Sequence, residues 1–286
     1  MSIFTFISIS FVVFTALFGI VIGSFLNVVI YRIPEGRTIV KGHSMCMSCG
    51  HELKAIDLVP VFSWLFLGGK CRYCKAPVAS RYIKIESFTG LVFLLFSISH
   101  LAYQLDLLNL YNKTRLVFFA YYCITLIVLA SLNSVMMIYH DVQKSYYGFS
   151  VFSGCAAVVL SGLSLLIYSP KAVISYLLIA VTVALIIVGI IALFSKLLKK
   201  KYTATDFWLD LPYAFAYAYF GKLFISYDYA LIASVICLIL PRTILKGTKF
   251  DKYSAIVSTC GLMLVNIIGF ILNKLSDSLF TYILAF

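Results

Sequence analysis

The run Gly23-Ser-Phe-Leu-Asn-Val-Val-Ile-Tyr-Arg-Ile-Pro34 lies where a long apolar stretch gives way to a polar, basic segment. The apolar stretch reaches back to Ile3, which is long enough for a membrane-spanning helix of about 20 residues. It has neither the basic flank nor the small-residue cleavage site of a removable signal peptide, so we expect a retained helix. Gly23 and Ser24 suit close helix packing, and Asn27 suits an interhelical hydrogen bond. Pro34 is expected to end the helix.

The composition of the whole chain indicates an integral membrane protein. Hydrophobic residues make up 62% of the 286 positions, charged residues make up 12%, and the mean hydropathy is +1.01. Soluble domains carry about 25% charged residues, so this chain has too few to cover a water-facing surface. A net charge of +12 would suggest nucleic acid in a soluble protein. We attribute it to membrane topology, and expect membrane lipids and no nucleic acid as partners.

Eight apolar runs are long enough to be candidate membrane spans, and the first covers about residues 3–30. A polar segment, about 32–84, follows it. The other seven candidates are about Ile85–Tyr103, Leu116–Tyr139, Tyr147–Tyr168, Ala172–Ser195, Leu211–Phe224, Tyr229–Leu245 and Ile256–Leu272.

The distribution of basic residues predicts the orientation of these spans. If the N-terminus lies outside and each span crosses, 18 of the 23 Lys and Arg residues fall on the inner side. This bias agrees with the positive-inside rule. The same orientation places Asp141, Asp206 and Asp210 on the cytoplasmic side.

Four cysteines in the polar segment have the spacing of a metal site. Cys46-Met-Ser-Cys49 is followed by Cys71-Arg-Tyr-Cys74, and two such CxxC turns can complete a tetrahedron of thiolates around zinc. Redox motifs or disulfides are the alternatives, and a reducing cytosol argues against disulfides. A closed four-sulfur site would be structural and would supply folding energy to a short segment.

These patterns predict an all-α polytopic membrane protein with about eight transmembrane helices. A small cytoplasmic four-cysteine zinc-binding insert follows the first helix. The predicted organisation is a first transmembrane helix over 1–31, the zinc-binding domain over 32–84 and a transmembrane domain over 85–286.

Acidic residues at the membrane edge are costly, so Asp141, Asp206 and Asp210 are functional candidates. Two carboxylates that share one proton can activate water for peptide hydrolysis: one takes a proton from the water and the other polarises the carbonyl. The alternative is that each aspartate caps a helix, since Asp206 directly precedes an apolar run. The residues alone leave open whether Asp206 or Asp210 would work with Asp141, and Asp210 is the reserve candidate.

Three motifs together carry a family resemblance. The run GSFLNVVIYRIP, the paired CxxC turns and the run RYIKIESFTG at 81–90 resemble the type IV prepilin peptidases. The resemblance implies a peptidase of the bacterial inner membrane that cleaves the basic leader of type IV prepilins or pseudopilins on the cytoplasmic side. It also implies, as in many members, N-methylation of the new N-terminus with S-adenosylmethionine.

The resemblance also assigns the catalytic aspartates. The family's first aspartate corresponds to Asp141, at the end of a helix. Its second closes a Gly-x-Gly-Asp motif and corresponds to Asp206, where Thr203 and Thr205 replace the glycines. Trp208 stands where the family usually has lysine.

Two other functions remain open at this point. A chain that lost cleavage could still bind prepilins as an assembly protein, and a small transporter could carry a metal-bound cytoplasmic loop. There is no HExxH and no GxSxG pattern, which disfavours a zinc protease and a serine hydrolase.

Overall fold

The computed structural model describes residues 3–40, 42–107, 112–144, 146–149, 151–152, 155–156, 159, 170–224, 235–262 and 264. Within these residues the chain is helical, apart from the polar segment after the first helix. The α-helices, in chain order, are α1 (Ile3–Arg32), α2 (Phe62–Phe66), α3 (Arg81–Leu107), α4 (Asn112–Val142), α5 (Pro170–Leu197), α6 (Ala204–Phe224) and α7 (Leu240–Ile244).

Three described helices are long and apolar enough to cross a membrane, over Phe6–Arg32, Tyr122–Val142 and Leu177–Leu197. They agree with the first, third and fifth predicted spans. Most of the predicted spans 147–168 and 256–272 lies outside the described residues. In the predicted span 229–245, the described part is a π-helical turn, Val235–Ile239, followed by the short α7. The number eight therefore stays a prediction.

The chain divides into two compact units, Met1–Ile98 and Ser99–Phe286. In the first unit, α1 and α3 pack closely through glycine, as predicted for Gly23. A Cβ built on Gly23 would lie 2.7 Å from Glu86 Cα, so only glycine fits against the α3 backbone. Asn27 makes the expected hydrogen bond between the helices, from Nδ2 to the carbonyl oxygen of Tyr82 at 3.3 Å. α1 ends at Arg32, two residues before Pro34.

The second unit is built around α4, α5, α6 and α7, and α5 packs along α6. Tyr213 of α6 is fully buried and joins three helical segments. Its hydroxyl donates to the carbonyl oxygen of Leu132 in α4 at 3.2 Å, and it lies 2.8 Å from Thr259 Oγ1 in the helical residues 254–262. This packing brings the end of α4, the start of α6 and the segment after α7 together.

Candidate metal centre and carboxylate cluster

The two CxxC turns fold in the same way. In the first, the N–H of Cys46 donates to the carbonyl oxygen of His51, and the N–H of Gly50 donates back to Cys46. In the second, the N–H of Cys71 donates to the oxygen of Ala76, and Lys75 donates back to Cys71. In each turn, the residue four positions after the first cysteine has a positive φ: +69° at Gly50 and +58° at Lys75. Each turn is thus a tight knuckle that points two sulfurs to one side.

The four sulfurs, Cys46, Cys49, Cys71 and Cys74, all lie within 4.8 Å of one another. The Sγ atoms of Cys46 and Cys74 are 3.8 Å apart. Tetrahedral zinc holds sulfur at about 2.3 Å, which separates ligand sulfurs by about 3.8 Å. The cluster could therefore hold a metal ion, and its all-sulfur donor set fits zinc.

The first CxxC turn stabilises the ionised, thiolate form of Cys46, which is the form that binds a metal. Backbone N–H groups of Cys49 and Ser48 point at the Cys46 sulfur and lower the pKa of Cys46 to about 6. Metals bind the thiolate form of cysteine. Cys46 is therefore ready to ligate near neutral pH without first losing a proton.

Asp57 ties the second knuckle to the rest of the insert. Its side chain is only 3% exposed and accepts hydrogen bonds from Arg72 Nε at 2.6 Å, the Tyr73 hydroxyl at 2.9 Å and the N–H of Lys54 at 3.1 Å. The guanidinium of Arg72 is the main reason that the pKa of Asp57 lies below its usual value. The stability that this contact adds is present near neutral pH and is lost as the pH falls through that lowered pKa.

In the second unit, Asp206 is the third residue of α6 and forms a capping box with Thr203. The N–H and the hydroxyl of Thr203 donate to Asp206 Oδ2 at 2.8 and 2.6 Å, and the N–H of Asp206 lies 3.4 Å from Thr203 Oγ1. Thr203, and not Asp206, is the N-cap, so the alternative interpretation of Asp206 as the N-cap residue itself does not hold. Neither Thr203 nor Thr205 adopts a positive φ, so this turn does not need glycine.

A buried arginine joins the aspartates of this unit. Arg242 of α7 is 1% exposed; its Nε lies 2.5 Å from Asp210 Oδ1 and its Nη2 lies 3.3 Å from Asp206 Oδ1. Its Nη1 donates to Ser254 Oγ at 2.8 Å and lies 3.6 Å from Asp251 Oδ1. One guanidinium therefore neutralises parts of three carboxylates at once.

Lys246 supplies a second buried cation. Its Nζ lies 2.7 Å from Asp206 Oδ2, and its side chain is 8% exposed. The distance is that of a close ion pair, although the angles do not satisfy a hydrogen bond. We therefore treat the contact as charge–charge attraction. The ammonium also lies 4.5 Å from the ring centre of Tyr202, whose hydroxyl donates to Asp210 Oδ2 at 3.0 Å.

Asp141 lies at the end of α4, with His140 Nδ1 at 3.1 Å from its Oδ1. Two residues earlier, the hydroxyl of Tyr139 donates to Asp251 Oδ1 at 3.0 Å, and Arg242 lies over the Tyr139 ring at 5.0 Å. Arg242 thus contacts both the helix end that carries Asp141 and the helix start that carries Asp206.

Residues 17–100 match the family model of the bacterial peptidase A24 N-terminal domain. This part of the chain resembles that domain family. It is similar to the prepilin leader peptidase/N-methyltransferase of Myxococcus xanthus, with 46% identity over 83 residues, 29% of this chain and 25% of the relative. The enzyme of the same name from Dichelobacter nodosus is 36% identical over 27% of this chain and 36% of the relative. That from Pseudomonas aeruginosa is 37% identical over 29% and 37%.

The matched part spans about a quarter to just over a third of the length of these curated relatives. No solved structure matches the chain. The A24 N-terminal domain contains all four cysteines of the cluster and Glu86, whereas Asp141 and Asp206 lie beyond it.

The sequence predicted the four cysteines and Asp206 as candidate site residues. It did not predict the two cations that lie beside Asp206. Arg242 and Lys246 were counted only as inner-side charges. One signal was available: Pro241-Arg242-Thr243 interrupts an apolar run, and a charge within such a run needs a partner. No pattern in the sequence identifies that partner, because Asp206 and Asp210 lie more than 30 positions before Arg242.

Proposed function

We propose that this chain is a membrane-embedded aspartic endopeptidase that cleaves the basic leader of type IV prepilins or pseudopilins. The cut would take place at the cytoplasmic face of the bacterial inner membrane. The A24 N-terminal domain and the names of its relatives support the substrate class. The geometric observation that carries the chemistry is the Asp206 carboxylate, which Thr203, Lys246 and Arg242 hold in one position.

The surroundings of the two aspartates suggest different roles for them. Lys246 and Arg242 place positive charge 2.7 and 3.3 Å from Asp206, which favours its ionised form. Asp206 is therefore our candidate for the general base. Asp141 is paired with His140, whose Nδ1 lies 3.1 Å from Asp141 Oδ1, and its side chain is 24% exposed. Because one carboxyl group of such a dyad is ionised and the other carries the shared proton, we assign Asp141 the role of the proton-carrying partner.

In the proposed reaction, the two carboxyl groups share one proton at the start and share one proton again at the end. Asp206 takes a proton from a water molecule, and the water oxygen attacks the scissile carbonyl carbon. Asp141, protonated, donates a hydrogen bond to the carbonyl oxygen as negative charge develops there. When the C–N bond breaks, the leaving amine takes up a proton from the pair. Both products then leave, and the pair again shares one proton.

Zinc and S-adenosylmethionine would have different roles, one structural and one chemical. Cys46, Cys49, Cys71 and Cys74 would hold a structural Zn2+, which supplies four bonds that stabilise the insert. S-adenosylmethionine would supply a methyl group to the new N-terminal amine. No contact among the described residues assigns its site, so the methylation proposal depends on the names of the relatives.

A cleavage assay with full-length protein in membranes tests the peptidase proposal. Wild type, Asp141→Asn, Asp206→Asn and Asp210→Asn are compared side by side with a prepilin, and leader removal is followed by its change in size. We expect wild type to cleave and both Asp141→Asn and Asp206→Asn to lose cleavage. Normal processing by both variants would rule out this dyad. A wild-type protein that binds prepilin without cutting it would instead support the assembly-protein function.

Mass measurement of the mature pilin tests methylation separately. An added methyl group at the new N-terminus, dependent on S-adenosylmethionine, is the expected result. Mature pilin without that added mass would contradict the methyltransferase half of the proposal and leave the peptidase half intact.

A further inference from the structure

The short helix α2, in the first unit, presents an apolar face that the described residues of that unit leave largely exposed. Phe62, Leu65 and Phe66 are 47%, 55% and 86% exposed. Their spacing of i, i+3 and i+4 puts them on one side of the helix. Trp64 lies elsewhere on the helix and is held by the insert, since its Nε1 donates to the carbonyl oxygen of Val78 at 3.2 Å. The helix is therefore fixed by Trp64 while its apolar face points outward.

A direct hydrogen bond links the start of α2 to α3. The N–H of Val61, the residue before α2, donates to Glu86 Oε2 of α3 at 2.7 Å. Val61 has φ +63° and ψ −54°, a backbone conformation that a β-branched residue rarely adopts. The carboxylate of Glu86 thus holds the start of α2 in a strained but defined position.

The packing of Glu86 on α1 shows where along that helix the start of α2 is attached. Glu86 packs its backbone directly on Gly23, which is nine residues before the last residue of α1. At 1.5 Å per residue, this point lies about 13 Å inside the end of α1. α1 is one of the three helices that can cross a membrane. The start of α2 is therefore held, through Glu86, beside the last third of a helix that is long and apolar enough to cross a membrane.

The charge around α2 is complementary to an anionic lipid surface. The segment 32–84 carries nine Lys and Arg residues against three Asp and Glu residues. Lys54, Lys70 and Lys84 are exposed on it. Aromatic and leucine side chains on one face, with basic residues nearby, are characteristic of helices that lie in the membrane interface. Basic residues near that surface gain from anionic headgroups.

We propose that α2 is an interfacial anchor that seats Phe62, Leu65 and Phe66 among the lipids at the headgroup–acyl boundary. The anchor would fix the four-cysteine insert against the membrane that α1 is able to cross. Anionic phospholipid is the ligand that this face would contact. The inference does not depend on the peptidase proposal, because every contact it uses lies within the first unit, Met1–Ile98.

Photocrosslinking on the full-length protein in lipid nanodiscs tests this anchor. Phe66→p-benzoylphenylalanine reports on the apolar face of α2. Met47→p-benzoylphenylalanine is the matched control, since Met47 is also exposed, at 69%, in the same insert but outside α2. The nanodiscs contain phosphatidylglycerol and phosphatidylcholine, and adducts are identified by mass. Metal content per chain, equal to that of the wild type, verifies that each variant retains the folded insert.

We expect lipid adducts at position 66 and only background at position 47. We also expect phosphatidylglycerol to exceed its share of the bilayer among the adducts. Absence of lipid adducts at position 66, equal labelling at both positions, or adducts to protein in place of lipid would overturn the anchor. Adducts in simple proportion to bilayer composition would overturn its preference for anionic lipid.

Discussion

Arg242 Nε lies 2.5 Å from Asp210 Oδ1, and both side chains are buried, at 1% and 0% exposure. Arg242 also contacts Asp206 and lies over the ring of Tyr139, two residues before Asp141. A buried guanidinium with such partners is held in place by them, and it holds them in return. Arg242 is therefore the residue that fixes the geometry of the proposed site.

Removal of Arg242 is expected to destabilise the protein strongly. Arg242→Met leaves Asp210 buried without its cation, and breaking a buried pair in this way costs about 3–5 kcal/mol. The midpoint of thermal unfolding in detergent is the measurement. The double variant Arg242→Met/Asp210→Leu removes both charges and should recover part of the loss. If Arg242→Met unfolds at the wild-type temperature, the pair does not stabilise the fold.

Removal of Lys246 is expected to shift the pH dependence of cleavage. Asp206 is faced by Lys246 and Arg242 as cations, and Asp210, Tyr202 and Asp251 are the other titratable groups of the cluster. Without the Lys246 ammonium the ionised form of Asp206 loses an attraction, so Asp206 should bind a proton at higher pH.

In Lys246→Met, the acid limb of the pH–rate profile for cleavage is thus expected to shift to higher pH by about one unit. Lys246→Arg keeps the charge and is the matched control, with a profile close to that of the wild type. The experiment is a series of initial rates from pH 5 to 9. An unchanged acid limb in an active Lys246→Met variant would contradict the assignment of Asp206 as the ionised base.

The Thr203 cap is expected to depend on its hydroxyl. Thr203→Ala removes the side-chain partner of Asp206 and should cost about 1 kcal/mol of stability. Thr203→Ser keeps the hydroxyl and should lose little. Thermal unfolding of the two variants in parallel measures the difference, and equal midpoints would mean that the hydroxyl adds no stability at the start of α6.

The metal centre is expected to weaken on acidification. The pKa of Cys46 is lowered to about 6, so Cys46 is ionised at pH 7 and protonated below about pH 6, where protons compete with the metal. Dialysis at pH 7 and at pH 5, followed by metal analysis, should show retention at pH 7 and loss at pH 5. Cys71→Ser removes a buried ligand and should bind less metal at either pH. Full retention at pH 5 would contradict the expected competition between protons and the metal at this site.

Close packing of α1 on α3 is expected to tolerate only glycine at position 23. A Cβ on Gly23 would lie 2.7 Å from a backbone atom, and such overpacking costs about 1–3 kcal/mol. Gly189→Ala is the control, because a Cβ there meets nothing within 4 Å. The lower unfolding midpoint is expected for Gly23→Ala alone. Equal effects of the two substitutions would show that the backbone at Glu86 can move to make room for a Cβ at position 23.

Features that depend on nearby residues were predictable from the sequence. The spacing of the four cysteines predicted their cluster, because each knuckle is closed by hydrogen bonds within six residues. The apolar run that ends before Pro34 predicted α1, and Gly23 predicted its packing. The position of Asp206 at the start of a helix was also correct, although the capping role of Thr203 was not foreseen.

The sequence by itself determined the helical membrane character, the metal knuckles and the candidate aspartates. Composition, apolar run length and short spacings carry that information within a single segment. Only the tertiary structure decided that Arg242 and Lys246 surround Asp206, and that Glu86 holds Val61 at the start of α2. These contacts join residues 25 to 40 positions apart, and they depend on how each helix is rotated and crossed against its neighbour. No local pattern in the sequence specifies that arrangement.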